Sequence, residues 1–399
     1  MKKIIFSVIS IAAMFGLALF VAQTNLSTAQ ASDASGRKIV VFQTGLNDAA
    51  KDEIVRYAGG VKLKNLDLIG AKAVYLPPKA EAALARQAGV LRIDDDVVVE
   101  ALIRGGIAAK PTPTQPSEVL PWGVDRIDAD LVWGTTTGDP IKVAIVDTGI
   151  DVKHPDLIDN LKGGVSAVGY TSSYNDDNGH GTHVAGIAAA IDNEIGVIGV
   201  GPKIDLYAVK VLNRRGSGYL SDVIEGLDWA VANGMQVVNM SLGTGSNIQS
   251  FHDAVIAAKN AGVVVIAAAG NSGGSVIYPA AYSEAIAVSA TDQNNVIASW
   301  SSRGPEIDLA APGVSIYSTY KRTGYATLSG TSMAAPHVAG SAALVLNTPV
   351  GGYDVNLNGK WDPNEVQKKL QDRAVDLGNT GFDNLYGWGL VNAYSSVQP

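Results

Sequence analysis

Four short apolar runs, "IKVAIVDTG", "DLYAVKVL", "QVVNMSLG" and "VVVIAAAGN", follow residue 122 and alternate with stretches of helical character such as "YLSDVIEGLDWAVANG" and "IQSFHDAVIAAKNAG". Runs with so few polar residues leave no face for water, so the strands must be covered on both sides, and the intervening helices supply the cover. The expected fold is α/β: a doubly wound, mostly parallel sheet with helices on both faces. Ligands of such sheets bind beyond the carboxyl ends of the strands. Polar residues that end these runs are therefore the first candidates for function.

Ahead of this region, residues 37–102 read as strand ("RKIVVFQ"), helix ("LNDAAKDEIVRYAG"), two strands within "VKLKNLDLIGAKAVYLP", helix ("KAEAALARQAG") and strand ("VLRIDDDVVVEAL"). This is the βαββαβ order of a small ferredoxin-like unit. The prolines of the following "GGIAAKPTPTQPSE" remove backbone donors and favour an extended, exposed chain, so a domain boundary open to proteolysis is expected there. At the amino end, "MKKIIFSVISIAAMFGLALFVA" joins a lysine-bearing head to an apolar run, and "AQA" at 29–31 supplies the small residues of a secretory cleavage site. A retained membrane anchor is the alternative. The chain then divides into a signal peptide at 1–31, a small domain and linker at 32–116, and a larger domain at 117–399.

An exported chain without cysteine has no disulfide to constrain its unfolded state, so another brace, such as bound metal, is expected. The net charge of −8 argues against a nucleic-acid partner and suits oxygen-ligated cations. Apolar runs after the signal are too short to cross a bilayer. A secreted, extracellular monomer without stable membrane association after signal removal is expected.

Asp147 ends the first run in "AIVDTGID", where a buried acid is costly unless hydrogen-bonded. "GHGTHVAG" carries two of the five histidines. Spaced i and i+3, His180 and His183 could share a helix face as metal ligands, but "HGTH" lacks the glutamate and spacing of H-E-x-x-H. Alternatively, one carries protons and the other packs. His180 begins one predicted helix and Ser332, in "SGTSMAAPHVAG", begins another, so both open toward the same crevice, whereas His183 points into apolar "VAGIAAA". Taken singly, each residue also fits a cap or a satisfied core position.

Taken together, the order Asp, His, Ser with these flanking residues resembles the subtilisin-like serine proteases from about residue 121 to the carboxyl end, and the βαββαβ unit resembles that family's inhibitory propeptide. The resemblance implies that Asp147 orients His180 and stabilises its imidazolium, that His180 takes the proton of Ser332, and that Ser332 attacks the peptide carbonyl. It implies that Asn271, ending "VVVIAAAGN", donates its side-chain amide to the oxyanion beside the backbone N–H of Ser332, although Gly-Asn pairs also favour turns. Losing such a donor costs about 2.7–4 kcal/mol of barrier, a magnitude carried over from subtilisin itself. His154 and His337 lie in stretches where the family's residues are structural, and His252 heads an amphipathic helix.

Protein and peptide substrates would add as a strand, with Gly216, Ser217 and Gly218 on one edge and Ser241, Leu242 and Gly243 on the other. Ahead of the Tyr-Pro pair, here Tyr278 and Pro279, many members have glycine; this chain has Ile277. Its side chain would shorten the primary specificity pocket and favour smaller apolar residues over Phe or Tyr.

"DVNLNGKWDPNE" matches the calcium loop D-x-[DN]-x-[DN]-G-x5-E, with side-chain oxygens at Asp354, Asn356, Asn358, Asp362 and Glu365, the carbonyl of Lys360, and Gly359 at the turn. No entering helix precedes it, but "PNEVQKKLQ" can serve as the exiting one. The loop looks like a stabilising insertion at 352–366; a polar surface turn is the alternative. The family's tighter calcium site is implied at the carbonyls of Ile191, Ile195 and Val197 and the side chains of Asn193, Asp156 and Glu118, the last standing where relatives commonly have Gln.

The small unit would act as an intramolecular inhibitor, its last strand and linker lying in the cleft. Lys110, Thr112 and Gln115 each precede proline, so a cut near 108–110 or close to Ser117 is expected. Two readings of other classes compete. A non-catalytic binding module on a dead protease fold would lack one of Asp147, His180, Asn271 or Ser332. An esterase of the α/β-hydrolase type needs G-x-S-x-G with acid and base after the serine, which "GTSMA" does not provide.

Overall fold

A computed structural model describes residues 36–77, 79–108 and 115–399. The expected signal segment and linker residues 109–114 lie outside the described residues. The chain forms two compact units, the smaller ending at Val97 and the larger comprising Leu66–Gly70 and Val98–Pro399.

In the smaller unit, strands β1 (Arg37–Phe42), β2 (Val61–Leu66), β3 (Ala71–Tyr75) and β4 (Val90–Asp95) alternate with helices α1 (Asp48–Tyr57) and α2 (Ala80–Leu84) as the βαββαβ reading expects. The sheet order is β2-β3-β1-β4, with β1 antiparallel to both β3 and β4. Asn47 caps α1 by accepting the N–H of Ala50 at 2.9 Å. Val40, Phe42, Val55, Val74 and Leu84 close the core. One expectation changes: "VLRIDDDVVVEAL" is two strands, because the chain breaks after β4 and resumes as β5 (Val98–Ala101) in the larger unit. At the break Asp96 is buried and bound by Arg37 at 2.9 Å, a pairing that offsets the cost of burying the acid.

The larger unit is built on a seven-stranded sheet. Its strands are β7 (Lys142–Asp147), β8 (Leu161–Ser166), β9 (Asp205–Lys210), β11 (Val237–Met240), β13 (Val264–Ala268), β14 (Ile286–Thr291) and β15 (Ile307–Pro312). They run parallel in the order β15-β14-β13-β11-β7-β9-β8. The four apolar runs are its adjacent central strands, and every residue of β11 and β13 is buried, as two-sided cover requires. Short strands complete the unit: β6 (Gly105–Ala108), β10 (Ser217–Tyr219), β12 (Leu242–Gly243), β16 (Ile316–Tyr320) and β17 (Gly324–Ser329). Part of the segment expected to be plain linker is thus a strand, β6, paired antiparallel with β17.

Two helices decide where the site lies. The helix His180–Ala189, here α4, is buried at every residue, and α7, Thr331–Leu346, is buried at all but its last. A helix apolar on all sides belongs inside the fold. These two pack against each other in the core, so the residues at their starts are held by the whole domain.

Candidate active site

Asp147 is the last residue of β7, His180 the first of α4, Ser332 the second of α7, and Asn271 follows β13. Residues remote in sequence thus reach one region because strand and helix ends do. His180 Nδ1 lies 2.7 and 2.9 Å from the two carboxylate oxygens of Asp147. Facing a carboxylate, Nδ1 carries the proton and Nε2 is left as the base. Among the described residues Nε2 is buried and has no hydrogen-bond partner. Burial disfavours the imidazolium, but the charge and hydrogen bond of Asp147, with the charge of Asp176, outweigh it and hold the pKa above the ordinary histidine value.

Close approach makes this pairing possible. A β-carbon on Gly181 would sit 2.2 Å from the Gly149 carbonyl oxygen and 3.1 Å from Asp147 Cβ, so only glycine lets α4 begin against the end of β7. Asp176 holds the same turn together: it accepts from Thr148 Oγ1, from the N–H groups of Asn178, Gly179 and Thr182, and from Thr182 Oγ1, at 2.6–3.0 Å. Burial pushes its carboxyl pKa up against these bonds. Sequence reasoning missed Asp176; its signal was an acid four residues ahead of a predicted helix start.

Ser332 donates its hydroxyl to the Ser241 carbonyl at 2.8 Å, and Ser241 Oγ donates to the Ser332 carbonyl at 2.9 Å. The second bond has a sequence cause. Pro336 has no N–H to give the carbonyl four residues earlier, so Ser332 O is free for a side chain. Asn239 Nδ2 in turn donates to Ser241 Oγ at 2.9 Å.

Asn271 is clamped by one residue that the sequence did not single out. Its Oδ1 accepts both the N–H and the hydroxyl of Thr331 at 2.9 Å, while Thr331 Oγ1 accepts from Gly270 N at 3.1 Å. That fixes which end of the amide is the oxygen and leaves Nδ2 buried without a partner among the described residues.

The remaining histidines are packed. His183 Nε2 faces the carbonyls of Ile316 and Ala326 at 3.1 and 3.0 Å, and burial drives its pKa down to about 3. His337 bonds the Met333 carbonyl and is driven by burial to about 4. His154 is buried between Gly324 O and Asp156 N, and burial lowers its pKa too. His252 pairs with Glu284 at 2.7 Å and stacks on Tyr282.

The two predicted substrate edges flank one strand. β5 lies between β10 and β12 in an antiparallel three-stranded sheet, with Ala101 N–H on Gly216 O at 2.9 Å and Leu102 N–H on Ser241 O at 3.2 Å. A β-carbon on Gly243 would lie 2.7 Å from Ile277 Cδ1, and one on Gly270 would lie 3.2 Å from its Cγ1. Ile277 therefore stands between the edge strand and the turn that carries Asn271.

The two oxygen-rich regions differ. Asn193 donates its N–H to Glu118 Oε1 at 2.8 Å and its amide to Asp156 Oδ1 at 3.1 Å, while Val197 N–H and Tyr325 OH reach Asp156 Oδ2 at 2.9 and 3.2 Å. No hydrogen bond among the described residues reaches the carbonyls of Ile191, Ile195 or Val197. Burial pushes the Asp156 carboxyl up to about 7, against those donors. Two carboxylates, an amide oxygen and three free carbonyls suit the donor chemistry of calcium.

In the loop, by contrast, Asp354 accepts from Asn358 and Gly359 N–H, Asn356 Oδ1 from Asn358 N–H and Asn358 Oδ1 from Lys360 N–H. Asp362 caps the helix Pro363–Asp372, here α8, and Glu365 accepts from Val355 and Asp362 N–H. Among the described residues no three His, Cys, Asp or Glu side chains converge as a metal-holding group, while Asp362 and Glu365 share a capping box and Asn356 Nδ2 donates to Asp362 Oδ2 at 3.0 Å.

A model of the subtilase family matches residues 138–389. The chain is 44% identical over 338 residues to the alkaline protease of Alkalihalobacillus alcalophilus, spanning 84% of this chain and 81% of that one. It is 49% identical over 284 residues to Subtilisin Savinase of Lederbergia lenta, spanning 71% of this chain and all of the relative. To Subtilisin E of Bacillus subtilis strain 168 it is 39% identical over 402 aligned residues, 97% of this chain and 98% of the relative. With a matching family domain built on the parallel sheet that carries this crevice, the chain belongs to the subtilase family and is a serine endopeptidase.

Proposed function

We propose that the enzyme cleaves peptide bonds with Ser332 as nucleophile, His180 as general base, Asp147 as its orienting acid, and Asn271 with the Ser332 N–H as oxyanion donors. One observation carries the reading: two buried nitrogens at the site, His180 Nε2 and Asn271 Nδ2, have no partner among the described residues. An unmet buried polar group costs about 1–3 kcal/mol. A reacting peptide supplies what both lack.

The steps follow from the residues. Ser332 turns its hydroxyl from the Ser241 carbonyl to Nε2 and gives up its proton as Oγ attacks the substrate carbonyl carbon. Charge passes to the carbonyl oxygen, where Asn271 Nδ2 and Ser332 N–H donate; Thr331 keeps the amide from flipping. Asp147 stabilises the imidazolium, which protonates the leaving amine, and water then enters by the reverse proton path to release the acyl group. Ile277 restricts the primary pocket, favouring smaller apolar residues.

Calcium fits the pocket of Glu118, Asp156, Ile191, Asn193, Ile195 and Val197, and we assign the loop Asp354, Asn356, Asn358, Lys360, Asp362 and Glu365 as a second site that closes when the ion is present. When bound, calcium offsets the charge that burial penalises at Asp156 and braces a chain without disulfides. The amino-terminal signal pattern supports export, and among the described residues no helix is long and apolar enough to cross a membrane. The small unit is the removable inhibitor of a self-processing zymogen acting outside the cell.

A serine-directed phosphonylating reagent tests the catalytic assignment. It should label processed enzyme once, at Ser332, and His180→Ala should slow labelling by orders of magnitude; labelling of another serine at the same rate would remove Ser332 from its role.

A further inference from the structure

The chain between the two predicted substrate edges is the protein's own, and it continues past the nucleophile. Within the larger unit, Ser217, Gly218 and Tyr219 pair with Glu100, Val99 and Val98, while Leu242 and Gly243 pair with Ala101 and Glu100. Beyond them Leu102 N–H reaches Ser241 O at 3.2 Å, the same carbonyl that accepts the Ser332 hydroxyl at 2.8 Å. Two residues on, Arg104 N–H reaches Ser329 O at 2.8 Å. Gly105–Ala108 then continue as β6, antiparallel to Ala326–Ser329 of β17.

Three contacts fix the register. The chain is held at residue 102 on one side of Ser332 and at residue 104 on the other, so the carbonyl over the nucleophile belongs to residue 102 or 103. Gly330 decides between them. A β-carbon there would lie 2.4 Å from the Leu102 carbonyl oxygen and 3.3 Å from Asn271 Nδ2. The Leu102 carbonyl thus lies on the side of the proposed oxyanion donor.

We infer that this chain is threaded across Ser332 as a bound substrate, with Leu102–Ile103 the bond that is cut and β17 the edge that holds the leaving-group side. The inference rests on the catalytic assignment proposed above. It places the cut before the segment at 108–117 where the prolines direct attention. Ser332 Oγ bonds to the Leu102 carbonyl carbon, its proton passes through His180 Nε2 to the Ile103 nitrogen, and the C–N bond breaks. Water then adds to the acyl group, giving a Leu102 carboxylate and an Ile103 amine. Leu102 is the smaller apolar side chain that Ile277 favours.

The pairing at β17 has its own consequence. Subsites on the leaving-group side extend along a strand edge as far as the fifth residue after Ile103. The ligand class is an extended peptide continuing well beyond the scissile bond.

Time-resolved intact-mass spectrometry of full-length wild type, Ser332→Ala and Ile103→Pro tests the bond. Ile103 N–H makes no hydrogen bond among the described residues, so proline there removes no hydrogen bond while rendering the bond uncuttable. The first fragments of the wild type should end at Leu102 and begin at Ile103, Ile103→Pro should delay them at least 100-fold, and Ser332→Ala should give none. A first wild-type cut elsewhere, absent in Ser332→Ala, overturns the bond and leaves the catalytic assignment standing; equal processing in Ser332→Ala overturns that assignment instead. For the edge, two fluorogenic peptides with the same acyl half and either one or six residues after the bond are compared on processed enzyme. The longer should show at least tenfold higher kcat/KM; equal values would discard β17 as a subsite.

Discussion

The proposed catalytic crevice and the loop of residues 354–365 hold their carboxylates in opposite ways. Asp147 is fully buried and meets a histidine 33 residues away, at the junction of a central strand and an interior helix. Asp354 binds N–H groups four and five residues on, in a loop whose Val355 and Leu357 are 82% and 86% exposed. In the crevice, side-chain positions follow from the packing of two core helices. In the loop they follow mainly from its own turns and cap: Asp354 accepts from the turn that follows it, and Asp362 and Glu365 share the capping box of α8. A local motif is therefore held by its own turns, while a scattered set of residues is brought together only when rigid elements carry it.

Breaking the crevice should have the largest effects. Asp147→Asn should lower kcat about 10⁴-fold, the loss known for this change in a serine protease triad. Removing that charge also leaves burial as the dominant influence on His180. The acid limb of kcat/KM, which in the wild type should fall above the ordinary histidine value of about 6.5, should move to lower pH. A limb that stays in place would mean that Asp147 does not set the base. Asn271→Ala should cost about 10²–10³ in kcat with KM little changed, again the magnitude seen in subtilisin; a loss confined to KM would reassign Asn271 to substrate binding.

Thr331→Val probes the clamp. It removes the hydroxyl bonded to Asn271 Oδ1 and Gly270 N–H but keeps the backbone N–H. With one hydrogen bond worth about 1 kcal/mol, kcat should fall roughly fivefold, and Thr331→Ser should restore it. Equal kcat in all three would leave the amide oriented by the backbone alone.

The smallest effects belong to the cation regions. Calcium at a hundred times its Kd would stabilise the fold by about 2.7 kcal/mol, so excess chelator should lower the Tm by several degrees. Asp156→Asn should erase most of that shift and Asp354→Asn a minor part. An unchanged melting curve in chelator would remove both sites; a larger effect from Asp354→Asn would reverse the ranking.

Much was legible in the sequence because it is written in patterns that tertiary context cannot easily override. Apolar runs fix the parallel sheet, since their side chains have nowhere to go but between two helical layers. Acid, histidine and serine stand where strand and helix ends converge, so Asp147, His180 and Ser332 could be named from order and flanking residues. His183 was separated from His180 by the apolar helix around it. The same reading failed at Asp176, Thr331 and Asn239, whose roles are hydrogen bonds to other side chains and backbone groups with no period or spacing of their own. It also joined β4 to β5, because a run of β-forming residues does not reveal that Asp96 pairs with Arg37.

What the sequence determined by itself was the fold class, the βαββαβ unit and the candidates for the reacting groups, since apolar periodicity and element termini are local properties of the chain. Only the tertiary structure decided which imidazole nitrogen is left free, which end of Asn271 faces the site, and where residues 98–108 run. Those depend on contacts between segments tens to hundreds of residues apart, and a hydrogen bond 2.7 Å long is set by the packing that brings its partners together.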